Sequence, residues 1–508
     1  MDNWKHLSFR PWKELKELQS SKLRFFITRQ LYPFSPYYRA LFDKHKIKPE
    51  YIRTQEDLRI IPFTSKEDFL PKKDKPKGNG LASNSQSHNP QRFRDFVLQP
   101  DEKLIKKYWP KNKLIWLALQ KLAKGKDYVN EKLNKEYRPI FLTATTGTTN
   151  QPVSFLYSNF DLYNLQIYGY RLLEVFATGE NDRAVNMFPY APHLAFWQTV
   201  FAGIAHNNFV LSTGGGKTMG TQGNIDAISK VSPAVIIGEP NYLYHVIRTA
   251  KESGKDFSFV KKIVLGASRV PLGFKEKIAS LLGELGAQDV YILGTYGFTE
   301  AKCAWGECPT ALNFSSGYHT YPDREIFEVI DPATGEVKKQ GDDGELVYTD
   351  LDARGSCVVR YRTGDIVKGG IVYQKCPYCK RTVPRISTNI SRSANIKDLR
   401  LSKVKGTLVN LNNLSVILES EKRIEEWQIE IRKKDNDPYE VDELFIYLSV
   451  SADTEQGALK EHLKNEILAS AEITPNDIIV LARKEMLERV GMEQLHKAKR
   501  IIDARPKV

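Results

Sequence analysis

Short apolar runs alternate with helix-like segments along the middle of this chain, between about residues 140 and 360. Candidate strands lie at 234–238, 262–266 and 289–293, and a segment with helical spacing, 273–285, separates the last two. Strands that alternate with helices predict βαβ units and a largely parallel sheet. The fold class predicted for the main part of the chain is therefore α/β.

The C-terminal part has a different pattern. Two strand-like runs, 427–431 and 444–450, precede a helix-like segment at 457–469 and a basic tail. This short mixed pattern predicts a small α+β unit. We therefore divide the chain into a large N-terminal domain, 1–390, and a small C-terminal domain, 391–508.

Composition narrows the class of protein. The 508 residues are 41% hydrophobic and 27% charged, which is typical of a globular chain with more than one domain. No run of 18 apolar residues predicts a membrane span, and the N-terminus lacks the features of a signal peptide. Five cysteines are too few for a disulfide framework, so we expect a reducing cytoplasm.

The formal net charge is +14. It suits an anionic partner such as a nucleotide, coenzyme A or a membrane surface, or equally a solvated, lysine-rich surface, which we favour. No arginine-rich block alternates with aromatics, so nucleic acid is not an expected partner. The segment 102–124, interrupted by Pro110, is basic and amphipathic. Membrane contact would suit it, but we expect its apolar face to pack on its own domain.

Three short segments carry residues suited to nucleotide chemistry. Thr143–Asn150 (TATTGTTN) follows a strand-like run, and its hydroxyls and backbone N–H groups could hold phosphate oxygens; it could also be a plain loop. Gly294–Glu300 (GTYGFTE) joins an aromatic face to a carboxylate that could bind Mg²⁺. Tyr361–Asp365 (YRTGD) places a carboxylate where it could accept ribose hydroxyls. Taken singly, Gly294–Glu300 is equally consistent with an ordinary turn, and for Tyr361–Asp365 an Asp-capped turn is the favoured interpretation.

Taken together, the order and content of these segments resemble the adenylate-forming superfamily of acyl-CoA synthetases and luciferases, in its phenylacetate–coenzyme A ligase-like branch. Segments similar to that branch are also found at Ser35–Arg39, Ile60–Lys66, Gly214–Gly216 and Gly238–Pro240. The resemblance covers about residues 31–66 and then 139 to the C-terminus. Residues 71–137 look like an insertion specific to a subgroup.

The resemblance implies a large adenylation domain followed by a small C-terminal domain that rotates. It also implies a set of residues that bind ATP. These are Thr145, Thr146, Gly147, Thr148 and Thr149 at the β- and γ-phosphates, Gly266, Ala267, Ser268, Tyr296 and Gly297 around the adenine, and Asp365 with Arg392 at the ribose.

The same resemblance implies the catalytic residues. Thr299 would contact the α-phosphate, Glu300 would bind magnesium, and His193 would lie near the acyl pocket. The C-terminal HKAKR element resembles the family's adenylation element and makes Lys497 the adenylation lysine, with Lys499 as the alternative. An ammonium there would stabilise the negative charge that builds as a carboxylate attacks the α-phosphate.

The sequence departs from the family pattern in two regions. Asn150 occupies the place of a second glycine in the phosphate loop, and Val153 that of a lysine. The hinge stretch 393–398 lacks the usual paired acids, and a longer spacing than usual separates Arg392 from Lys405. The departures at Arg392 and the hinge weaken the prediction of the thioester-forming half of the reaction more than that of the adenylation half.

The cysteines form a second pattern. Cys376 and Cys379 have the two-residue spacing suited to zinc chelation. Cys308 and His319 match positions that complete a structural zinc site in some phenylacetate-ligase-like proteins, so we predict a Cys₃His zinc site over free thiols or a redox pair. Cys303 and Cys357 remain as small buried residues.

These patterns predict an ATP- and magnesium-dependent ligase that activates a small carboxylic acid as an acyl-adenylate and transfers the acyl group to coenzyme A. One alternative acceptor is a carrier-protein thiol, a protein cysteine or a cofactor. Another hypothesis is a non-catalytic nucleotide-binding relative. Tyr190, Phe196 and Trp197 suit an apolar acid pocket or a buried helix. The identity of the acid and the assembly state, including a homodimer, stay open.

Overall fold

The central part of the chain folds as the alternating pattern predicts, with helices connecting parallel strands. Candidate strand 234–238 is observed as Val235–Gly238, and candidate helix 273–285 as Leu272–Glu284. The computed structural model describes residues 3–70, 92–145, 152–268, 270–392, 401–404, 407–437, 441–471, 473–495 and 498–505.

Side-chain caps define where the helices of the main domain begin. The Ser158 hydroxyl accepts a hydrogen bond from the Asp161 backbone N–H while the Asp161 carboxylate accepts one from Ser158, which forms a capping box. The α-helices are α1 Trp4–Leu7, α2 Trp12–Phe26, α3 Tyr32–Phe34, α4 Pro36–Lys44, α5 Glu102–Tyr108, α6 Lys111–Tyr137, α7 Asn159–Val175, α8 Leu194–His206, α9 Gly216–Val231, α10 Pro240–Glu252, α11 Leu272–Glu284, α12 Leu411–Ser420, α13 Gln456–Ala471 and α14 Arg483–Val490.

The strands form one central sheet and several smaller ones. They are β1 Pro139–Ala144, β2 Ser154–Ser158, β3 Ala184–Asn186, β4 Val210–Ser212, β5 Val235–Gly238, β6 Lys262–Leu265, β7 Tyr291–Phe298, β8 Cys303–Gly306, β9 Tyr318–His319, β10 Glu325–Ile330, β11 Gly344–Asp350, β12 Tyr361–Val367, β13 Ile371–Val372, β14 Arg385–Ile386, β15 Ile390–Arg392, β16 Leu401–Val404, β17 Thr407–Asn410, β18 Ile424–Lys433, β19 Asp442–Val450, β20 Asp477–Val480 and β21 Ile501–Asp503.

The central sheet has the strand order β4-β3-β5-β6-β7-β8. Its first five strands are parallel, and β8 pairs antiparallel with the second half of β7. Buried strand residues such as Ile236 and Ile263 pack against α10 and α11. A second sheet, β10-β11-β12-β15, is antiparallel. This arrangement brings the carboxyl ends of β3, β5, β6 and β7 to one edge.

The C-terminal unit is built on the sheet β20-β19-β18-β21. Its own apolar cluster includes Leu414 from α12, Ile446 from β19 and Leu463 from α13. On the other side, Met486 and Val490 of α14 join a cluster formed mainly by α10 and α11. The fold is thus α/β with a large N-terminal and a smaller α+β C-terminal domain. The boundary near residue 390 stays a prediction because residues 393–400 lie outside the described part.

The basic segment after residue 101 forms two helices that are separated at Pro110, as predicted. Its packing differs from the expectation, however. Leu114 and Leu117 contact the N-terminal core, whereas Trp116, Leu119 and Leu122 are exposed by 47%, 57% and 86%. The expectation that the apolar face packs inward was wrong for these three residues. Among the described residues, no helix is long and apolar enough to cross a membrane.

Candidate nucleotide site and metal centre

A cleft lies where the central sheet changes its direction of winding, between β3 and β5. In open α/β sheets, ligands bind in the crevice at this kind of switch point, beyond the carboxyl ends of the strands. Residues that follow β3, β4 and β5 line the cleft, and residues of the C-terminal tail complete it. The lining residues are Met187, Pro189, Gly216, Lys217, Glu239, Tyr242, Met492, Leu495 and Ala498.

The predicted adenine segment forms the end of β7 and the turn after it. The strand continues to Phe298, so this segment is strand up to that point. The Tyr296 ring is stacked against Trp305 and Tyr318, with ring centroids 5.6 and 5.9 Å away. The Tyr296 hydroxyl donates to Asp365 Oδ2 at 2.8 Å. The structure therefore joins an aromatic ring to the carboxylate predicted for the ribose, although the two residues are 69 positions apart.

The acid predicted to bind magnesium is held by a tyrosine from β12. Thr299 and Glu300 lie in one 3₁₀ turn, Thr299–Ala301, directly after β7. Glu300 is buried, and its Oε1 accepts a hydrogen bond from the Tyr361 hydroxyl at 2.8 Å. A carboxylate has two oxygens, so this bond can coexist with a bond to a metal.

The segment after β6 comes very close to β7. A Cβ at Gly266 would lie 2.4 Å from Thr295 Oγ1, so a side chain there would require Thr295 to move. Ala267 has a φ of 70°, an uncommon left-handed conformation for a residue with a side chain. The Ser268 hydroxyl donates to Glu239 Oε1 at 2.8 Å, which ties this turn to the start of α10.

The two ends of the predicted phosphate loop are joined. The Thr145 backbone N–H donates to the Val153 carbonyl, and the Val153 N–H donates to Thr145 Oγ1, both at 3.0 Å. The loop between them, which carries Thr146, Gly147, Thr148 and Thr149, lies outside the described residues.

The side chains of two predicted cations, Arg392 and Lys497, lie outside the described part of the chain. The backbone of Arg392 is paired with Asp365 between β15 and β12, and its side chain is outside the described part. Lys497 also lies outside it, but its neighbour Ala498 lines the cleft. The sequence prediction for both cations therefore remains a prediction.

His193 and the aromatic residues near it lie beside the phosphate loop. His193 Nδ1 is 3.0 Å from the Ala144 carbonyl oxygen, at the start of α8. Phe196 is buried, whereas Tyr190 is 64% exposed and contacts the rings of Phe196 and Trp197. The run 190–197 therefore fits both interpretations of the sequence, because its helix has a buried face and Tyr190 is accessible to a ligand.

The four predicted zinc ligands converge on one point. Their ligand atoms all lie within 4.8 Å of one another, and three of the residues are buried. The Cys308 and Cys376 sulfurs are 3.8 Å apart, and Cys379 Sγ is 3.2 Å from His319 Nε2. Tetrahedral zinc with Zn–S bonds of about 2.3 Å separates two sulfurs by about 3.8 Å.

Neighbouring groups orient His319 and shift the pKa of Cys379 in this cluster. His319 Nδ1 lies 3.3 Å from the Gly306 carbonyl, which directs Nε2 towards the cysteines. Hydrogen bonds from Cys308 and Cys376 lower the pKa of Cys379 well below its usual range. Cys303 and Cys357, by contrast, are buried outside the cluster, and burial raises the pKa of both thiols.

The family model of AMP-binding enzymes matches residues 20–358. The chain belongs to this family. Among curated relatives of this AMP-binding enzyme, a phenylacetate–coenzyme A ligase of Aromatoleum evansii is 24% identical and covers 97% of this chain and 95% of its own. A phenylacetate–coenzyme A ligase of Escherichia coli strain K12 is 22% identical and covers 76% and 73%. The phenylacetate–coenzyme A ligase-like branch is the one that the sequence motifs predict.

Solved structures show the same fold. A 2-hydroxyisobutyryl-CoA ligase in its postadenylation state, with 2-HIB-AMP, superposes with a TM-score of 0.70. It is 17% identical and covers 99% of this chain and 92% of its own. The same ligase in its thioesterification state, with 2-HIB-AMP and CoA, has a TM-score of 0.59.

Sequence reasoning missed the buried ion pair beside the adenine segment of this AMP-binding enzyme. Glu307 Oε2 accepts from Lys275 Nζ at 2.8 Å and from the Gly294 N–H at 2.7 Å, so the pair fixes the start of the adenine segment. The sequence motif contains Tyr361 but predicts no role for it. Neither pairing leaves a local signal in the sequence, because the partners are 32 and 61 positions apart.

Proposed function

We propose that this chain is an AMP-forming acid–thiol ligase. In the first step, a carboxylate oxygen of the substrate attacks the α-phosphorus of ATP, and the bond to pyrophosphate breaks. In the second step, the thiolate of coenzyme A attacks the acyl carbon of the adenylate, and AMP leaves. Residues 20–358 supply the family membership, and the site supplies groups suited to the first step.

One observation carries the proposal. The motifs Gly294–Glu300 and Tyr361–Asp365, which are more than 60 positions apart, meet through two hydrogen bonds, Tyr296 to Asp365 and Tyr361 to Glu300. Preorganised groups of this kind stabilise developing charge without reorganising during the reaction. Plain turns would not require tyrosine–carboxylate pairs at both positions.

We assign the roles as follows. Asp365 and Arg392 bind the ribose, Tyr296 and Gly297 flank the adenine, and Gly266, Ala267 and Ser268 line it. Thr299 contacts the α-phosphate, Glu300 holds magnesium, and His193 borders the acyl pocket. The loop that Thr145 and Val153 close binds the outer phosphates through residues 145–149.

Lys497 is the cation that we assign to the adenylation step. Ala498, the next residue, lines the cleft between β3 and β5. We assign Lys497 to the substrate carboxylate because the residue that follows it lines this cleft. We further propose that the unit from about residue 391 rotates about the segment 393–398 after adenylation, which withdraws Lys497 and admits coenzyme A.

We propose that Cys308, His319, Cys376 and Cys379 hold a structural zinc ion. Their geometry fits tetrahedral coordination, and all four positions are protein ligands, so the site is closed and leaves no position for substrate. A bound zinc would tie three loop segments together and would take no part in the reaction. Free, reduced cysteines also suit a cytoplasmic enzyme. A homodimer stays a prediction, which sedimentation analysis would test.

The test is ATP–pyrophosphate exchange across a panel of aryl, fatty and short hydroxy acids, with and without coenzyme A. Lys497→Ala should abolish exchange with the accepted acid, and Lys499→Ala, which removes an exposed cation two positions away, should not. Acyl-CoA should form only when coenzyme A is present.

Two results would change the proposal. Exchange without acyl-CoA formation would keep adenylation and move the acyl group to another acceptor. Protein that binds ATP but exchanges pyrophosphate with no acid would support the non-catalytic hypothesis.

A further inference from the structure

The two halves of α6 fold back on each other and form a helical hairpin, which we define as residues 111–137. Gly125 interrupts the helix with a φ of 87° and a ψ of 166°. Lys132 Nζ lies 5.3 Å from the centre of the Trp116 ring. Sixteen residues of straight helix span about 24 Å, so this contact requires the second half to turn back at Gly125.

The hairpin packs inward with one face only. Leu114, Leu117 and Leu133 contact the N-terminal core. On the outer face, Ile115, Trp116, Leu119 and Leu122 are exposed, and Leu122, close to the turn, is the most exposed of them. Positions 115, 119 and 122 share one side of a helix. Large apolar side chains grouped in this way mark an interaction surface.

Lysines surround this apolar stripe. Residues 102–137 contain ten lysines, no arginine and four acidic residues, a net charge of +6. Lys111, Lys121, Lys124, Lys126 and Lys132 are all exposed. Helices that lie in a membrane interface combine an apolar stripe that contains tryptophan and leucine with flanking lysines. A second copy of the chain would bring the same positive charge to the contact, which opposes pairing through this surface.

We propose that the hairpin docks this protein on an anionic lipid bilayer, with Trp116, Leu119 and Leu122 inserted among the lipids and the lysines at the headgroups. The hairpin supplies none of the residues assigned to the nucleotide site. Docking therefore does not depend on the proposed ligase activity, and it would hold a soluble active site at a membrane surface.

The test is co-sedimentation of the full chain with vesicles. We expect binding to vesicles of phosphatidylcholine and phosphatidylserine, little binding to phosphatidylcholine alone, and release by high salt. The triple variant Lys121→Gln, Lys124→Gln, Lys126→Gln should bind on the order of 100-fold more weakly. The double variant Leu119→Ser, Leu122→Ser should bind at least about tenfold more weakly.

Matched variants control for general effects of charge and apolarity. Lys13→Gln, Lys339→Gln, Lys368→Gln removes three exposed lysines elsewhere, and Ile204→Ser, Leu468→Ser removes two exposed aliphatic residues. Both should bind like the parent chain. Circular dichroism and pyrophosphate exchange of the hairpin variants should match the parent, which separates docking from folding and from catalysis.

Three outcomes would overturn the proposal. The first is no binding to anionic vesicles, and the second is equal loss of binding in the hairpin and control variants. The third is a hairpin-dependent dimer or nucleic-acid complex in the absence of vesicle binding, which would assign the surface to another partner.

Discussion

Two sets of contacts join distant parts of this chain, and they differ in kind. The cysteine–histidine cluster places four ligand atoms within 4.8 Å, mostly out of contact with water. The interface between the C-terminal unit and α9–α11 combines an apolar cluster with charged pairs, several of them partly exposed, such as Lys422 with Glu276.

The difference follows from how each contact responds to water. Exposed ion pairs are worth about 0–1 kcal/mol each because water and salt can replace them. Water does not readily replace thiolate ligands in a closed site. With the proposed zinc bound, the cluster would be a permanent link near the adenine segment, whereas the interface with α9–α11 is a replaceable link where we propose that a domain rotates.

The largest effect should come from breaking the permanent link. Cys376→Ser should lose the bound zinc and about 4 kcal/mol of stability, because loss of a metal ligand is among the most destabilising substitutions. The thermal midpoint should fall by on the order of 10 °C. Metal analysis and a thermal melt would measure this, with the buried cysteine variant Cys357→Ser as a control that keeps zinc. A Cys376 variant that retains stoichiometric zinc would contradict the assignment.

Weakening the replaceable link, the interface between the C-terminal unit and α9–α11, should slow adenylation but not thioester formation. Arg483 of α14 pairs with Glu252, and its Nη2 donates to Thr249 Oγ1 at 3.3 Å. Arg483→Ala should weaken docking by roughly 1.5 kcal/mol and slow adenylation about tenfold. Thioester formation from added acyl-adenylate should keep its rate. Arg505→Ala, which removes a pair with Asp503 inside the C-terminal unit, is the control; equal slowing of both half-reactions by Arg483→Ala would be evidence against rotation.

Lowering the pH should weaken docking of the C-terminal unit, as Arg483→Ala should. Burial and the charge of Arg483 lower the pKa of His245 to about 4 in the docked state, although Glu493 and Glu252 oppose this shift. Release of the C-terminal unit removes the charge of Arg483 and part of the burial, so the pKa of His245 rises towards its usual 6.5. Docking is therefore strongest above pH 6.5 and weakens as the pH falls towards 4. The ratio of the half-reactions between pH 7.5 and 5.5 measures this, and His245→Asn should flatten it. An unchanged slope in that variant would point to another titrating group.

The smallest effect should come from the hydrogen bond between Tyr296 and Asp365, which belongs neither to the cysteine–histidine cluster nor to the interface of the C-terminal unit. Tyr296→Phe removes the hydrogen bond to Asp365 and keeps the stacked ring. We expect a loss of about 1 kcal/mol of ATP binding, which appears as a several-fold rise in KM for ATP with little change in kcat or thermal midpoint. A large fall in the midpoint would mean that this bond supports the fold rather than the nucleotide.

Local patterns predicted the elements of this fold closely. The run 444–450 is observed within Asp442–Val450, and the helix-like segment 457–469 within Gln456–Ala471. Two predictions were wrong because they did not anticipate which neighbours a segment would have. The adenine segment after 293 continues as a strand because β8 pairs with it, and Trp116, Leu119 and Leu122 of α6 face outward although Leu114 and Leu117 pack inward. In both, the neighbours of the segment, rather than its own residues, set the outcome.

By itself, the sequence determined the alternating elements, the superfamily motifs and the Cys376–Cys379 pair, because residue type and short-range spacing encode these features, whereas Cys308 and His319 were predicted only through the family resemblance. Only the tertiary structure decided that Tyr296 bonds to Asp365, that Glu307 pairs with Lys275, and that the α6 stripe remains exposed. Such contacts join residues tens of positions apart. They depend on how elements pack, and the periodicity within any one element carries no information about that packing.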